Sequence, residues 1–343
     1  MVVMHVNAAT PEPHAAEAHP PPGGCQPAVS IIMPAYNTAQ YIGEALDSAL
    51  AQTFTDYEII VVNDGSPDTK ELEQTLAPYR ERIVYIEQEN RGSSAARNTG
   101  LRASRGRFIA LLDSDDVWEP EYLSTHVEAL ERDASIDVIY PNALLFGESS
   151  NAGKTYMEVC PSEGEITFAR LVAQECYVWG GVTARRETVF RAGLFDEELG
   201  SAEDFDLWLR ILHGGGRIAY HRRVLASYRQ RRGSHTSDPV RLCRNFLKLL
   251  DKLTRTMKLS STDQAAVDEQ RARTQAMFHL YEGKQALFGG DVSRASECLT
   301  KANAFFSSRK IALTLLLLRL SPRLAMRAYD LRDRYVFKMS TRF

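Results

Sequence analysis

The sequence predicts an α/β protein: a sheet that is mostly parallel at first and mixed further on, helices on both faces, and a helical appendage at the carboxyl end. Three observations carry this. Short apolar β-rich runs alternate with amphipathic segments of about three turns. The runs are nearly continuous in apolar character, as strands buried on both faces are. Several of them end abruptly in polar or acidic residues.

Taken in order, VSIIMPA from Val29 reads as a first strand and YIGEALDSALAQ as the helix after it. YEIIVVND is a second strand with ELEQTLAPY as its helix, IVYIEQ a third with SSAARNTGLRAS, and FIALLDSD a fourth with EYLSTHVEALERD. Right-handed crossovers bring the carboxyl ends of such strands to one edge, where open α/β sheets bind ligands. Beyond Asp137 the alternation loosens: DVIYPNALLF and VTARRETVF read as strands and strand-to-helix turns, and EDFDLWLRIL as a short helix. After about residue 240 the segments read as helices. The expected division is a loose Ala/Pro/His/Gly-rich tail over 1–27, an α/β domain over 28–239, a helical region over 240–308 and a basic amphipathic tail over 309–343.

Composition narrows the functional classes. With 44% hydrophobic residues, 25% charged and a formal net charge of -3, the chain is neither disordered nor a basic nucleic-acid binder. The five cysteines are scattered, with no pair at redox or zinc-knuckle spacing. No apolar window of about 18 residues occurs, and the first residues lack a hydrophobic leader. A cytoplasmic protein is expected, with no nucleic acid among its partners.

Chemistry-bearing residues concentrate at the strand ends. Asp113, Asp115 and Asp116 follow FIALL. Carboxylates about 4 Å apart repel by roughly 4 kcal/mol at an effective dielectric near 20. Such a cluster calls for a hard divalent cation, Mg²⁺ or Mn²⁺, held by one or two carboxylates, waters and a substrate diphosphate. A solvated turn before a helix explains the same acids. Asp64 lies in VVNDGSPD, where Ser66 is expected to cap a helix with Pro67 in its first turn; the carboxylate could equally accept an imide N–H such as that of uracil. Arg97, in NRGSSAARNTG, either meets water or reaches a nucleotide. Glu203 and Asp204 open a helix, which suits the dipole, or supply a general base. His235, in RRGSHTSD, is a candidate third metal ligand, with Arg231 or Arg232 close to a diphosphate. Two alternatives fail: GESSNAGKT has one residue too many for a P-loop, and no G-x-G-x-x-G follows the first strand.

The ordered set VSIIMPAYN, ALDSALAQTFTDYEIIVVNDGSPD, NRGSSAARNTGL, DSDD and FDEELGSAEDFDLWLRI resembles the family 2 glycosyltransferases of the GT-A fold, a Rossmann-like mixed sheet, across residues 29–238. The resemblance implies an inverting, metal-dependent transfer from a nucleotide-diphosphate sugar, with UDP as the expected nucleotide, to a hydroxyl of a glycan or polyprenyl-linked acceptor in surface polysaccharide synthesis. It implies that Pro34, Ala35, Tyr36, Asp64 and Arg97 hold the nucleotide and that Asp113 faces the ribose. Asp115, Asp116 and His235 would hold the metal, and Asp204 would be the catalytic base. Trp179, Gly180, Gly181 and Glu203 would face the acceptor. Asn63 departs from the family pattern, where a second Asp is frequent, and the Gln-x-x-Arg-Trp of processive relatives is missing, so single-sugar transfer is favoured. A binding protein without turnover and a sugar nucleotidyltransferase are the other classes to separate.

In the appendage, Gly283, Ala295, Leu299 and Ala302 match the small and apolar positions of one tetratricopeptide unit, with Gly290 and Asp291 in its turn. One unit cannot stand alone, so it is expected against the α/β domain or against a second subunit of a homo-oligomer. The final stretch, with Arg319, Arg323, Arg327, Arg332 and Arg334, reads either as a buried helix with a basic edge or as a helix lying on an anionic membrane surface.

Overall fold

The computed structural model describes residues 26–231 and 238–321. Eight strands form one sheet: β1 Val29–Ala35, β2 Tyr57–Asp64, β3 Val84–Gln88, β4 Phe108–Leu111, β5 Val117–Trp118, β6 Val138–Gly147, β7 Thr183–Arg185 and β8 Ile218–Gln230. Their order is β3-β2-β1-β4-β7-β6-β8-β5. β1 to β4, β6 and β8 share one direction, and β7 and β5 are reversed. Ala35 pairs with Asn63, Asp64 with Gln88 and Ile32 with Leu111, so the carboxyl ends of the first four strands lie along one edge.

The helices are α1 Ile42–Leu50, α2 Thr69–Leu76, α3 Ser93–Ala103, α4 Tyr122–Arg132, α5 Tyr156–Val159, α6 Phe168–Val172, α7 Arg186–Arg191, α8 Glu203–His213, α9 Pro239–Thr256, α10 Ser261–Phe288, α11 Val292–Phe306 and α12 Arg309–Leu320. Continuous apolar runs become fully buried strands: Val29, Ile31, Ile32 and Met33 in β1 and Ile60, Val61 and Val62 in β2 expose nothing. α3 lies unusually close to this sheet because Gly100 has no side chain; a Cβ there would stand 2.6 Å from Ile32 Cγ2.

Two details differ from the sequence reading. Ser66 does not cap α2, which starts at Thr69 behind Asp68 without a side-chain cap. Ser66 Oγ instead accepts the Asn37 N–H at 2.6 Å and donates to Asp68, which joins the ends of β1 and β2. The thirteen-residue β8 has no clean sequence pattern because a register shift opposite Pro141 and Asn142 breaks its alternation around His221, Arg222 and Arg223.

The helical appendage is continuous with the main core. Leu249, Leu250 and Leu253 of α9 and Val267 of α10 belong to it. Asp206 of α8, with no exposed surface, pairs with Arg210 and with Lys252 of α9, both at 2.7 Å. A small second cluster, Leu287, Ala295, Leu299 and Leu318, joins α10, α11 and α12. Among the described residues no helix is long and apolar enough to cross a membrane.

Candidate active site

Asp64, at the end of β2, spends its carboxylate on the chain that leads into α3. Oδ1 accepts from Gln88 Nε2 at 2.7 Å and from the Arg91 N–H at 3.0 Å, and Oδ2 accepts from the Gly92 N–H at 2.8 Å. Gly65 makes the fold-back possible: its φ is +57° and a Cβ would meet Asn90 N at 2.7 Å. Asp64 therefore fixes the start of α3. Pro34 and Ala35 pair with Val62 and Asn63 beside it. Tyr36 is the exposed side chain just beyond the strand, and Asn37 turns the chain there with φ 54.

Arg97, one turn into α3, joins two distant segments. Nη2 donates to Asp113 and Nη1 to Glu203, both at 2.8 Å, and the guanidinium lies over the Phe195 ring. Burial opposes its charge, but Asp113 and Glu203 outweigh burial and raise its pKa. Glu203 also accepts from Ser93 Oγ at 3.0 Å. Glu203, expected on the acceptor side, is thus spent on fastening α8 to α3. Asn98, the next residue, clamps the 195–197 loop by exchanging hydrogen bonds with the Phe195 backbone, both at 2.9 Å.

Asp204 is placed by that fastening. Oδ1 accepts its neighbour's N–H, from Phe205, at 2.7 Å, and Oδ2 faces Gly180, where a Cβ would lie 3.6 Å away. Ala202, just before the helix, is forced to φ +67°, a strained value for a residue with a side chain. Burial first, then Glu203, push the Asp204 pKa up to about 6 against the pull of Arg97. A helix amino terminus favours the ionised carboxylate. Burial and like charge therefore win over the dipole.

The acidic turn after β4 is divided among three partners. Asp113 takes Arg97, Asp115 Oδ2 takes Arg231 Nε at 2.7 Å, and Asp116 Oδ1 accepts the Arg229 N–H at 2.9 Å. Asp116 is buried and ties the turn to β8. Among the described residues, the three carboxylates do not converge as a set within 4.8 Å. Negative charge is nonetheless in excess: burial and Asp113 raise the Asp115 pKa, and burial, Asp113 and Asp115 raise that of Asp116. Tyr228 feels burial first, then Asp116, Asp113, Asp115 and Asp204. Such a donor set fits a hard cation taking one or two carboxylates. His235 lies outside the described residues.

Trp179 forms a wall. Its ring folds over Gly181, whose Cβ would strike it at 2.6 Å, and stands 6.1 Å from the Tyr228 ring and 6.4 Å from that of Tyr156. Tyr156, Tyr228 and Arg229 had no sequence signal, since neither tyrosine sits in a motif and β8 lacks a readable period.

Comparison with known proteins places the chain in a family. Residues 30–194 match the family described as Glycosyl transferase family 2. The chain is 33% identical over 254 residues to an uncharacterized glycosyltransferase, RP339, of Rickettsia prowazekii, covering 71% of this chain and 78% of that protein. It belongs to the family 2 glycosyltransferases. A Rickettsia felis uncharacterized glycosyltransferase is 34% identical over 192 residues; the match covers 54% of this chain but only 31% of that longer protein. The solved structure of Staphylococcus aureus TarS 1-349 in complex with UDP-GlcNAc superposes with a TM-score of 0.58 at 19% identity, covering 90% of this chain and 91% of that one. The Pyrobaculum calidifontis mannosyltransferase PcManGT, in complex with GDP-Man and Mn²⁺, gives 0.55 at 18%, covering 90% and 88%. The fold is GT-A, with the helical region at its carboxyl end.

Proposed function

We propose that the chain transfers one sugar from a nucleotide-diphosphate donor, with UDP as the preferred nucleotide, to a hydroxyl of a glycan or polyprenyl-linked acceptor, with inversion at the anomeric carbon. The observation that carries the proposal is the Asp204 carboxylate. It is fixed beside Gly180, burial and the adjacent Glu203 push its pKa up to about 6, and Arg97 links Glu203 to the acidic turn. Inversion is a single displacement, which needs one base on the acceptor side and charge stabilisation on the leaving side. Asp204 takes the proton of the attacking hydroxyl, and its pKa leaves it ionised yet basic near neutral pH. Arg97 and Arg231 add positive charge beside the carboxylates, and Trp179 excludes water from one side. When bound, a divalent cation supplies Lewis-acid stabilisation of the departing diphosphate; Asp115, with Asp116, would hold it, and Asp113 would face the ribose. Asp64 and Tyr36 are the base-side residues. TarS, solved with UDP-GlcNAc, and PcManGT, solved with GDP-Man and Mn²⁺, support the nucleotide-sugar class of donor and a divalent cation.

The experiment is transfer, and donor hydrolysis, by Asp204→Asn with Mn²⁺ or Mg²⁺ present. Loss of turnover with donor affinity retained is expected. Loss of donor binding would make Asp204 a structural residue, and unchanged turnover would remove it from the chemistry. We also place the enzyme in the cytoplasm, at the inner face of a membrane, in surface polysaccharide assembly. Leu313, Leu316 and Leu320 of α12 are exposed beside Arg319, which suits an anionic lipid surface. Deletion of 309–343 should move the protein from membrane pellet to supernatant, and a pellet fraction unaffected by the deletion would contradict this.

A further inference from the structure

The α10–α11 hairpin carries a second group of ligand-type side chains. His279 and Glu282, three residues apart, share a face of α10, and Cys298 approaches them from α11. One ligand atom from each lies within 4.8 Å of the other two. The approach has a cause in Gly283. A Cβ there would meet Leu299 Cγ at 2.9 Å and Leu299 N at 3.2 Å, so its absence lets α11 settle onto α10. Cys298 Sγ then stands 3.8 Å from Glu282 Oε2. Zinc bonds of about 2.3 Å to sulfur and about 2.0 Å to oxygen put the edge of a tetrahedron at about 3.5 Å. The two atoms already sit near the separation that one ion would impose.

The polar groups here are not fully satisfied by protein. His279 Nδ1 is buried without a hydrogen-bond partner among the described residues, while Nε2 lies 3.3 Å from the Gln275 amide. Amide nitrogen and oxygen are interchangeable in assignment. With its oxygen turned inward, Gln275 accepts from Nε2–H and leaves the Nδ1 lone pair bare, the tautomer that a metal-bound imidazole needs. Among the described residues, Glu282 otherwise takes two long contacts from Arg294 Nη2, to Oε1 and to Oε2, both at 3.4 Å. Thiolate, imidazole and carboxylate together suit zinc.

We infer that His279, Glu282 and Cys298 form a zinc site that staples α10 to α11, with solvent in the fourth position. Binding releases the Cys298 thiol proton to the buffer. The site is independent of the glycosyl-transfer reading, because the acidic turn contains no sulfur.

The test is a Co²⁺ titration of the full chain followed by near-ultraviolet absorption. A thiolate-to-cobalt charge-transfer band should saturate at one equivalent, disappear on adding Zn²⁺ and be absent from Cys298→Ser. Gln275→Ala should weaken Co²⁺ binding about ten-fold. His279→Asn keeps the sulfur and should need at least about ten times more Co²⁺, which decides the matter if Cys298→Ser does not fold. No band in the parent chain, a band that persists in Cys298→Ser, or an unchanged titration in His279→Asn overturns the assignment.

Discussion

Asp204 and Arg97 set the energetics of the site through opposite charges in a partly dry environment. Because Asp204 binds its proton more tightly in the folded chain than in the unfolded one, ionising it costs stability. That cost grows as pH rises from about 4 through about 6 and is complete above. Asp204→Asn should therefore raise Tm by a few degrees at pH 7.5 and leave it nearly unchanged at pH 4, as a pair of thermal melts would show. Turnover of the parent should fall as pH drops below about 6, and the variant should lose about 10² to 10⁴ of kcat, the range of general-base catalysis. Glu203→Gln removes the charge that both raises the Asp204 pKa and holds Arg97. It should shift the acid limb of the pH–rate profile to lower pH as well as reduce the rate; a rate loss with an unmoved limb would separate the two residues. Asp64, Arg97, Asp113 and Asp115 were legible because each sits at a strand end or in the helix between strands. Their partners were not: that Asp64 grips the 91–92 backbone, or that Glu203 faces Arg97, depends on approaches between segments that no local pattern encodes.

Among the elements, α8 matters most, since it presents the Glu203–Asp204 pair and is fixed from both sides. α3 holds its first turn through Arg97, and α9 holds the next through Lys252 and the buried Asp206. Lys252→Met strips one charged hydrogen bond from Asp206 and should cost about 2 kcal/mol, read by urea unfolding. The double variant with Asp206→Asn should recover part of that loss. Gly100→Ala at the α3–sheet contact should cost about 1–3 kcal/mol through the clash with Ile32. β1 to β4 could be read from apolar runs that end in polar or acidic residues. β8 could not, because its bulge interrupts the period, and the two-residue β5 is a strand only by virtue of pairing with β8.

At the scale of the molecule, the sheet brings segments remote in sequence to one edge, and the appendage closes the far side of α8 and shares its core. Removing everything after Asp238 would uncover the core surface that Leu249, Leu250 and Leu253 bury and leave Asp206 without Lys252. That fragment should elute as aggregate in size-exclusion chromatography, and an intact monomer peak would contradict this. The α/β order of the fold was visible in the sequence since its periods are local; the fusion of the appendage with the core was not, because it rests on side chains meeting across the whole chain. The most direct test of the account is the affinity of a UDP-sugar for the parent, Asp115→Asn and Asp204→Asn chains, titrated with and without Mn²⁺. Binding that strengthens with Mn²⁺ in the parent, loses that enhancement in Asp115→Asn and keeps it in Asp204→Asn is the predicted result. Equal affinity in all three chains, indifferent to Mn²⁺, would contradict it.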